Sequence, residues 1–277
     1  MFIAQISDPH LHADAAHPNN QRFLSVIEHL NTLEPRPDRL VVTGDLTDDG
    51  AEPSYRLLRK ALERCPFPAH LTIGNHDARA TFLEVFPDVP ATDGFVQSRI
   101  ALGGLHLILL DTNSPDREGG SYCSVRADWL RRELAELGTE PVLIMMHHPP
   151  CDIGIPWIDP GSSAEWAMRI RSALGQSSIV ALCTGHVHLG GVFRWQGTPV
   201  LTCPSSASDL SLGFAPMQRG VPDGRPLVEQ GAPGFALHRW SGDALATYFG
   251  RCPERVLAVW DEATRTIIDR MLEEASA

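Results

Sequence analysis

The chain alternates short, wholly apolar runs with longer stretches whose apolar residues recur at three- and four-residue intervals. Residues 2–7 read as a buried strand. Residues 20–33 follow with Phe23, Val26, Ile27, Leu30 and Leu33 on one helical face, and Pro35 and Pro37 close that helix. Residues 40–43 form a second strand, 55–62 a helix, 69–73 a third strand and 78–86 a short helix. Strand, helix, strand, helix, strand is the order of a parallel core joined by right-handed crossovers.

The second half keeps the alternation and adds hairpins. Residues 95–101 and 105–110 flank Leu102-Gly103-Gly104, 192–196 and 199–203 flank Gly197, and 235–240 and 244–249 flank Ser241-Gly242-Asp243. Between them lie helices at 126–137 and 164–174 and buried strands at 141–146 and 179–184. Ser162 or Ser163 is a candidate cap for the helix at 164, with Glu165 in its first turn. Residues 151–160 and 217–234 have no period and read as loops, the first over a site or at a subunit contact. Residues 254–275 read as a helical tail with Val256, Leu257, Val259, Trp260, Ile267, Ile268 and Leu272 as its apolar positions. Two α/β halves, each with a mixed sheet, predict one domain over residues 1–250. The tail, 251–277, is expected to pack on it or at an oligomer contact, and a homo-oligomer suits its apolar positions as well as core packing does.

Composition narrows the function. A chain of 277 residues that is 43% hydrophobic can bury a sizeable core. Met1-Phe2-Ile3-Ala4-Gln5-Ile6 opens without a secretory leader, and no run approaches the roughly 18 apolar residues of a membrane span, so the cytoplasm is the expected compartment. A net charge of −11, with Lys60 the only lysine and the arginines scattered, argues against a nucleic-acid polymer as partner. Bound divalent ions would reverse that sign locally and admit an anionic substrate. Six cysteines without a CxxC pair suggest neither a disulfide framework nor a zinc site.

The candidate chemistry sits at the carboxyl ends of the predicted strands, where open α/β sheets place their ligands. Asp8 and His10 follow the first strand, Asp45 the second, Asn75 and His76 the third; His147 follows residues 141–146, and His186 and His188 follow residues 179–184. Two residues apart on an extended segment, Asp8 and His10 would face one point. Asp, Asn and His without thiolate suit Mn, Fe, Zn or Co. So many donors exceed what one catalytic metal with an open position takes. They suffice for two ions sharing a bridging carboxylate, a layout that supports in-line displacement at phosphorus with the ions about 3.5–4 Å apart.

The blocks Asp8-x-His10, Gly44-Asp45, Gly74-Asn75-His76-Asp77, His147 and Gly185-His186-x-His188, in that order, resemble the calcineurin-like metallophosphoesterases over roughly residues 1–205. The length, the His147-His148-Pro149-Pro150 block and the Gly-His-Val-His ending most resemble the branch of class III cyclic-nucleotide phosphodiesterases and bacterial glycerophosphodiesterases. The resemblance implies an α/β fold of four layers, αββα, with two mixed sheets flanked by helices. It implies that Asp8, His10, Asp45 and His188 bind one divalent metal and that Asn75, His147 and His186 bind a second, with Asp45 bridging. A water or hydroxide between the ions would be the nucleophile, and His76 would hold the phosphate and protonate the leaving oxygen. Asp77 would orient that imidazole or cap the next helix.

Departures from the wider superfamily narrow the substrate. Protein phosphatases carry Asp-Arg-Gly after the Gly-Asp block, the Arg gripping a monoester; here the stretch is Asp48-Asp49-Gly50. The purple acid phosphatases place a Tyr ligand where Asp48 stands. A small phosphodiester, cyclic nucleotide or glycerophosphodiester, is the expected substrate; the alternatives are a phosphomonoesterase, a nuclease or a non-catalytic scaffold. His12 and His17 are candidates for the pocket mouth and more simply surface residues. His148 should face away by strand alternation, and Ser205, Ser206 and Asp209 are candidate substrate contacts.

Overall fold

The computed structural model describes residues 1–161 and 163–275. In chain order the elements are β1 (Phe2–Ile6), α1 (Pro18–Thr32), β2 (Arg39–Thr43), α2 (Glu52–Leu62), β3 (Ala69–Thr72), α3 (Arg79–Val85), β4 (Ser98–Ala101), β5 (His106–Leu110) and α4 (Ser124–Leu137). There follow β6 (Val142–Met146), α5 (Glu165–Leu174), β7 (Ile179–Thr184), β8 (Gly191–Trp195), β9 (Thr198–Thr202), β10 (Asp209–Leu210), β11 (Val228–Glu229), β12 (Gly234–Trp240), β13 (Leu245–Arg251) and α6 (Arg265–Ala275).

Two mixed sheets form the middle of the molecule. The first runs β13-β12-β1-β2-β3, parallel from β1 to β3 and antiparallel beyond β1. The second runs β4-β5-β6-β7-β9-β8, parallel from β5 to β9 with antiparallel edges.

Side-chain alternation explains the layering. In β1 and β2, Ile3 and Val41 meet Leu107, Leu143, Met145 and Cys183 of the other sheet, while Ala4, Ile6, Leu40 and Val42 turn outward to α1, α2 and α3. In β6, Leu143 and Met145 face inward and Val142, Ile144 and Met146 pack on α4 and α5. Strands buried on both faces need continuous apolar runs, which is why these segments do not alternate with polar residues. The result is the expected four-layer αββα architecture, with the carboxyl ends of β1, β2, β3, β6 and β7 meeting along one edge.

Three local expectations differ. Helix α5 begins at Glu165 with Ala164 as its N-cap and no side-chain cap; Ser163 does not cap it, and Ser162 lies outside the described residues. The segment 217–234 is a loop except for β11, which pairs with β10. The tail is helical only over Arg265–Ala275, and Val256, Leu257, Val259, Trp260, Ile267 and Leu272 are exposed, so its apolar period is not absorbed by this domain's core. Among the described residues no helix is long and apolar enough to cross a membrane.

Candidate metal centre

Five of the polar groups at the strand ends sit in left-handed backbone: Asp8 at φ 51°, His10 at 43°, Asp45 at 46°, His186 at 69° and His188 at 54°. Asp and His tolerate this region better than most residues, yet such a concentration marks backbone shaped for a site. Asp8 and His10 therefore converge through a curled backbone, not through the extended alternation expected from sequence. The curl is held by parallel-type contacts: the Asp8 N–H donates to the Gly44 carbonyl and the His10 N–H to the Asp45 carbonyl.

The side chains meet in two groups. Ligand atoms of Asp8, His10, Asp45 and His188 lie within 4.8 Å of one another. Those of His147, His148 and His186 form a second group, and Asn75 joins it with Oδ1 3.1 Å from His147 Nε2. Asp45 Oδ2 stands between the two groups, 3.6 Å from His10 Nε2 and 3.3 Å from His147 Nε2. His188 Nε2 is 3.4 Å from Asp8 Oδ1.

The tautomers point the same way. His147 Nδ1 lies 2.9 Å from the Thr43 carbonyl, His188 Nδ1 3.0 Å from the Ser208 carbonyl and His10 Nδ1 3.2 Å from Asp48 Oδ1. An imidazole that donates through Nδ1 to an oxygen presents a lone pair at Nε2, the usual support for a metal-binding histidine. His10 Nε2 and His188 Nε2 then face each other at 3.3 Å, lone pair to lone pair, around buried carboxylates. With the imidazoles neutral these Nε2 atoms and carboxylate oxygens are convergent acceptors, an arrangement that suits a cation; with no cation bound, a proton on His147 would serve instead.

The titration directions express the same charge. Burial works against it, but His147 and then His10 hold Asp45 well below the usual carboxylate range. Burial likewise opposes the shift in His147, yet Asp45 and Asp8 raise it to about 9. His186, in contrast, is pushed down to about 3 by burial and the His147 charge.

Glycines make room for this convergence. A Cβ on Gly74 would lie 2.7 Å from His147 Nε2 and closer still to the Asp45 carboxylate and backbone nitrogen. One on Gly185 would press on Ser7 Oγ and lie 2.7 Å from Asp8 Oδ2. The cradle is filled by these candidate ligand side chains, so the two positions have no volume for a methyl group.

His76 lines the adjoining cavity of about 1230 Å³, together with His10, Asp45, Asn75, His186 and His188. Its Nδ1 is 3.0 Å from the Asp48 carbonyl, which leaves Nε2 for another partner. Burial would lower this imidazole, but Asp45, the Asp48 carbonyl and the Asp48 and Glu118 charges raise it.

Several expectations are corrected here. Asp77 neither touches His76 nor caps α3, whose N-cap is Ala78. Its buried carboxylate instead accepts from the Leu46, Gly74 and Tyr55 donors at 3.1, 2.8 and 2.9 Å, tying the Asp45 and Asn75 loops together. His148 does not face away: β6 ends at Met146, so alternation does not extend to it, and its ring lies 4.6 Å from that of His186 in the cavity wall. Both its nitrogens have protein partners, Thr112 Oγ1 at 2.8 Å and the Glu118 carbonyl at 3.1 Å. Ser205 is buried and donates to the Asp8 carbonyl at 2.9 Å, Ser206 is buried, and Asp209 pairs with Arg251 at 2.8 Å; Ala207, Ser208 and Leu210 line the cavity instead. His12 and His17 stack on each other at 4.5 Å, outside the cavity lining. Residues 157–160 of the Pro- and Gly-rich loop do reach the cavity wall.

Other supports were invisible in sequence. Arg79 binds Asp111 through two bonds of 2.7 and 2.9 Å, and Asn113 donates to the Gly74 carbonyl and, at 3.1 Å, to that of Asp77. These contacts fasten the end of β5 to the Asn75 loop, joining the two halves of the site. Nothing periodic marks them; only the spacing Asp111-x-Asn113 after an apolar run hints at a strand-end function.

The family model described as calcineurin-like phosphoesterase matches residues 1–190. The "Probable glycerophosphodiester phosphodiesterase GpdQ" of Arcobacter nitrofigilis is 27% identical over 87% of this chain and 89% of its own. The "Probable cyclic nucleotide phosphodiesterase" of Rhodococcus erythropolis is 32% identical over 74% of this chain and 70% of its own. In three dimensions, a dimetal phosphatase from Danio rerio superposes with a TM-score of 0.65 at 15% identity, covering 92% of this chain and 98% of that one, a likeness of fold. The matched span contains Asp8, His10, Asp45, Asn75, His147, His186 and His188, and the chain belongs to the calcineurin-like phosphoesterase family.

Proposed function

We propose that this protein is a dinuclear-metal phosphodiester hydrolase acting on small diesters, 3′,5′-cyclic nucleotides or glycerophosphodiesters. The observation that carries the reading is Asp45 Oδ2, within 3.6 Å of His10 Nε2 and 3.3 Å of His147 Nε2, the place of a carboxylate shared by two ions. Asp8, His10, Asp45 and His188 would hold one ion; Asn75, His147 and His186, with Asp45 in common, the other. Mn, Fe, Zn and Co all suit this donor set. Bound there, the ions would supply water activation near neutral pH and neutralise charge on the phosphate.

The remaining chemistry belongs to side chains. A diester leaves as an alkoxide unless a proton reaches it, and an imidazole with a raised pKa whose Nδ1 is already engaged can deliver one from Nε2. Asp48 holds the His10 ring through its carboxylate and the His76 ring through its carbonyl, and Asp49 stands at the sequence position of the monoester-gripping arginine. A second charge on a monoester would meet Asp48 and Glu118 here, which favours the singly charged diester. The activities named for the two relatives above support the same class.

Matched p-nitrophenyl mono- and diesters test the reading. The expected result is a diester preference that disappears on chelation. A clear monoester preference would overturn it.

A further inference from the structure

Asn75 has a requirement that the metal reading creates and that the residue itself cannot satisfy. An amide offers a carbonyl on one side and an NH2 on the other, and only the carbonyl can join His147 and Asp45 around a cation. The two orientations have nearly the same shape, so something outside the ligand set must choose. In this chain the Asn75 Nδ2 donates to Glu118 Oε2 at 3.0 Å while Oδ1 lies 3.1 Å from His147 Nε2. A carboxylate has no proton to give. Turning the amide over would set Oδ1 against Glu118 and aim the NH2 at the histidine, so Glu118 selects one orientation by accepting in it and repelling in the other.

The loop bearing Glu118 is itself anchored to the site. The Glu118 carbonyl receives His148 Nε2 at 3.1 Å, and the Ser121 N–H donates to the Thr112 carbonyl at 2.9 Å. On the loop's side both bonds are made by backbone atoms, so the loop stays in place when the Glu118 side chain is shortened. His148, buried beside two ligand histidines without being free to bind metal, thereby gains a purpose: it fixes the segment that fixes Asn75.

We propose that Glu118 is a positioning residue for Asn75, holding its carbonyl toward the ion it shares with His147 and His186; the proposal rests on the dinuclear reading above. Metal titration tests it directly. Chelated protein is titrated with Mn by calorimetry as the parent, Glu118→Ala, Glu118→Gln, Asn75→Ala and the Asn75→Ala/Glu118→Ala double variant, with thermal unfolding as a check on folding. Removal of an outer-shell partner typically weakens metal binding about 10- to 100-fold. The expectation is a loss of that order confined to one of two sites in Glu118→Ala. Glu118→Gln, which keeps a carbonyl acceptor, should recover most of it, and Glu118→Ala should add nothing in the Asn75→Ala background.

Unchanged affinity in Glu118→Ala, equal weakening at both sites, or a further loss in the double variant overturns the proposal. A merely structural contact would lower the melting temperature without this single-site, Asn75-dependent pattern. A parent that takes up two ions yet cleaves no diester would sink the functional reading and leave this one standing.

Discussion

Replacing Gly74 by alanine puts a single methyl group into the centre of the proposed site. Its Cβ would lie 2.7 Å from His147 Nε2 and nearer still to the carboxylate and backbone nitrogen of Asp45. None of these neighbours can step aside cheaply. Asp45 Oδ1 accepts the His76 N–H at 2.9 Å, and His147 is locked by its 2.9 Å bond to the Thr43 carbonyl. Overpacking a well-filled core costs about 1–3 kcal/mol, and a clash against anchored groups belongs at the upper end. For a chain of this size that is a fall of about 5 °C in Tm. The catalytic effect should be larger, since a misplacement of about 1 Å in a reacting constellation costs about 100-fold. Thermal unfolding, Mn titration and kcat/KM on a p-nitrophenyl diester read the three consequences together. Gly213→Ala is the control, because the nearest atom to its added methyl is the Ser211 carbonyl oxygen at 4.0 Å. A Gly74→Ala protein with parental Mn affinity and kcat/KM within about threefold would refute the packing argument and the centre it describes.

Three further outcomes follow from the geometry. His147→Ala should lose one bound ion per chain by elemental analysis and reduce diester turnover by at least about 100-fold, while near-parental rates would remove it from the ligand set. His76→Ala should retain both ions and slow alkyl diesters more than nitrophenyl ones; uniform slowing across leaving groups would leave the acid role unsupported. His238 lies apart from the site, its Nε2 3.0 Å from Gln5 Oε1 and its Nδ1 2.9 Å from Thr247 Oγ1, and burial pushes its pKa from 6.5 down to about 4. The folded state therefore favours the neutral ring, so its contribution is present above pH 6.5 and is lost as pH falls toward 4, about 2 kcal/mol by pH 5. Urea unfolding at pH 7.5 and 5.0 should show that loss in the parent and a smaller one in His238→Gln; equal losses would contradict it.

How much of this was legible depended on whether a signal was local. The strands were readable because β1, β2, β6 and β7 are buried on both faces and must be continuously apolar. The polar groups at their ends were readable because the topology brings those ends to one edge. The reasons were less so. Alternation was the wrong argument for Asp8 and His10, whose left-handed backbone is visible only in three dimensions. It failed for His148 because the strand stops one residue before His147. Asp77 looked like a cap from its place before a helix, whereas its donors at Leu46 and Tyr55 come from segments far away in sequence. Glu118 lies in a stretch without period and acts through an amide 43 residues earlier. The tail from Val256 to Trp260 has apolar residues without a helix to arrange them, because periodicity alone does not supply a surface to pack on.

The most direct test of the central claim is turnover of Mn-loaded protein on cyclic AMP and on glycerophosphocholine at matched concentrations, beside a chelated control. The account predicts hydrolysis of at least one of the two diesters, lost on chelation and restored by added Mn. No metal-dependent rate on either would contradict it.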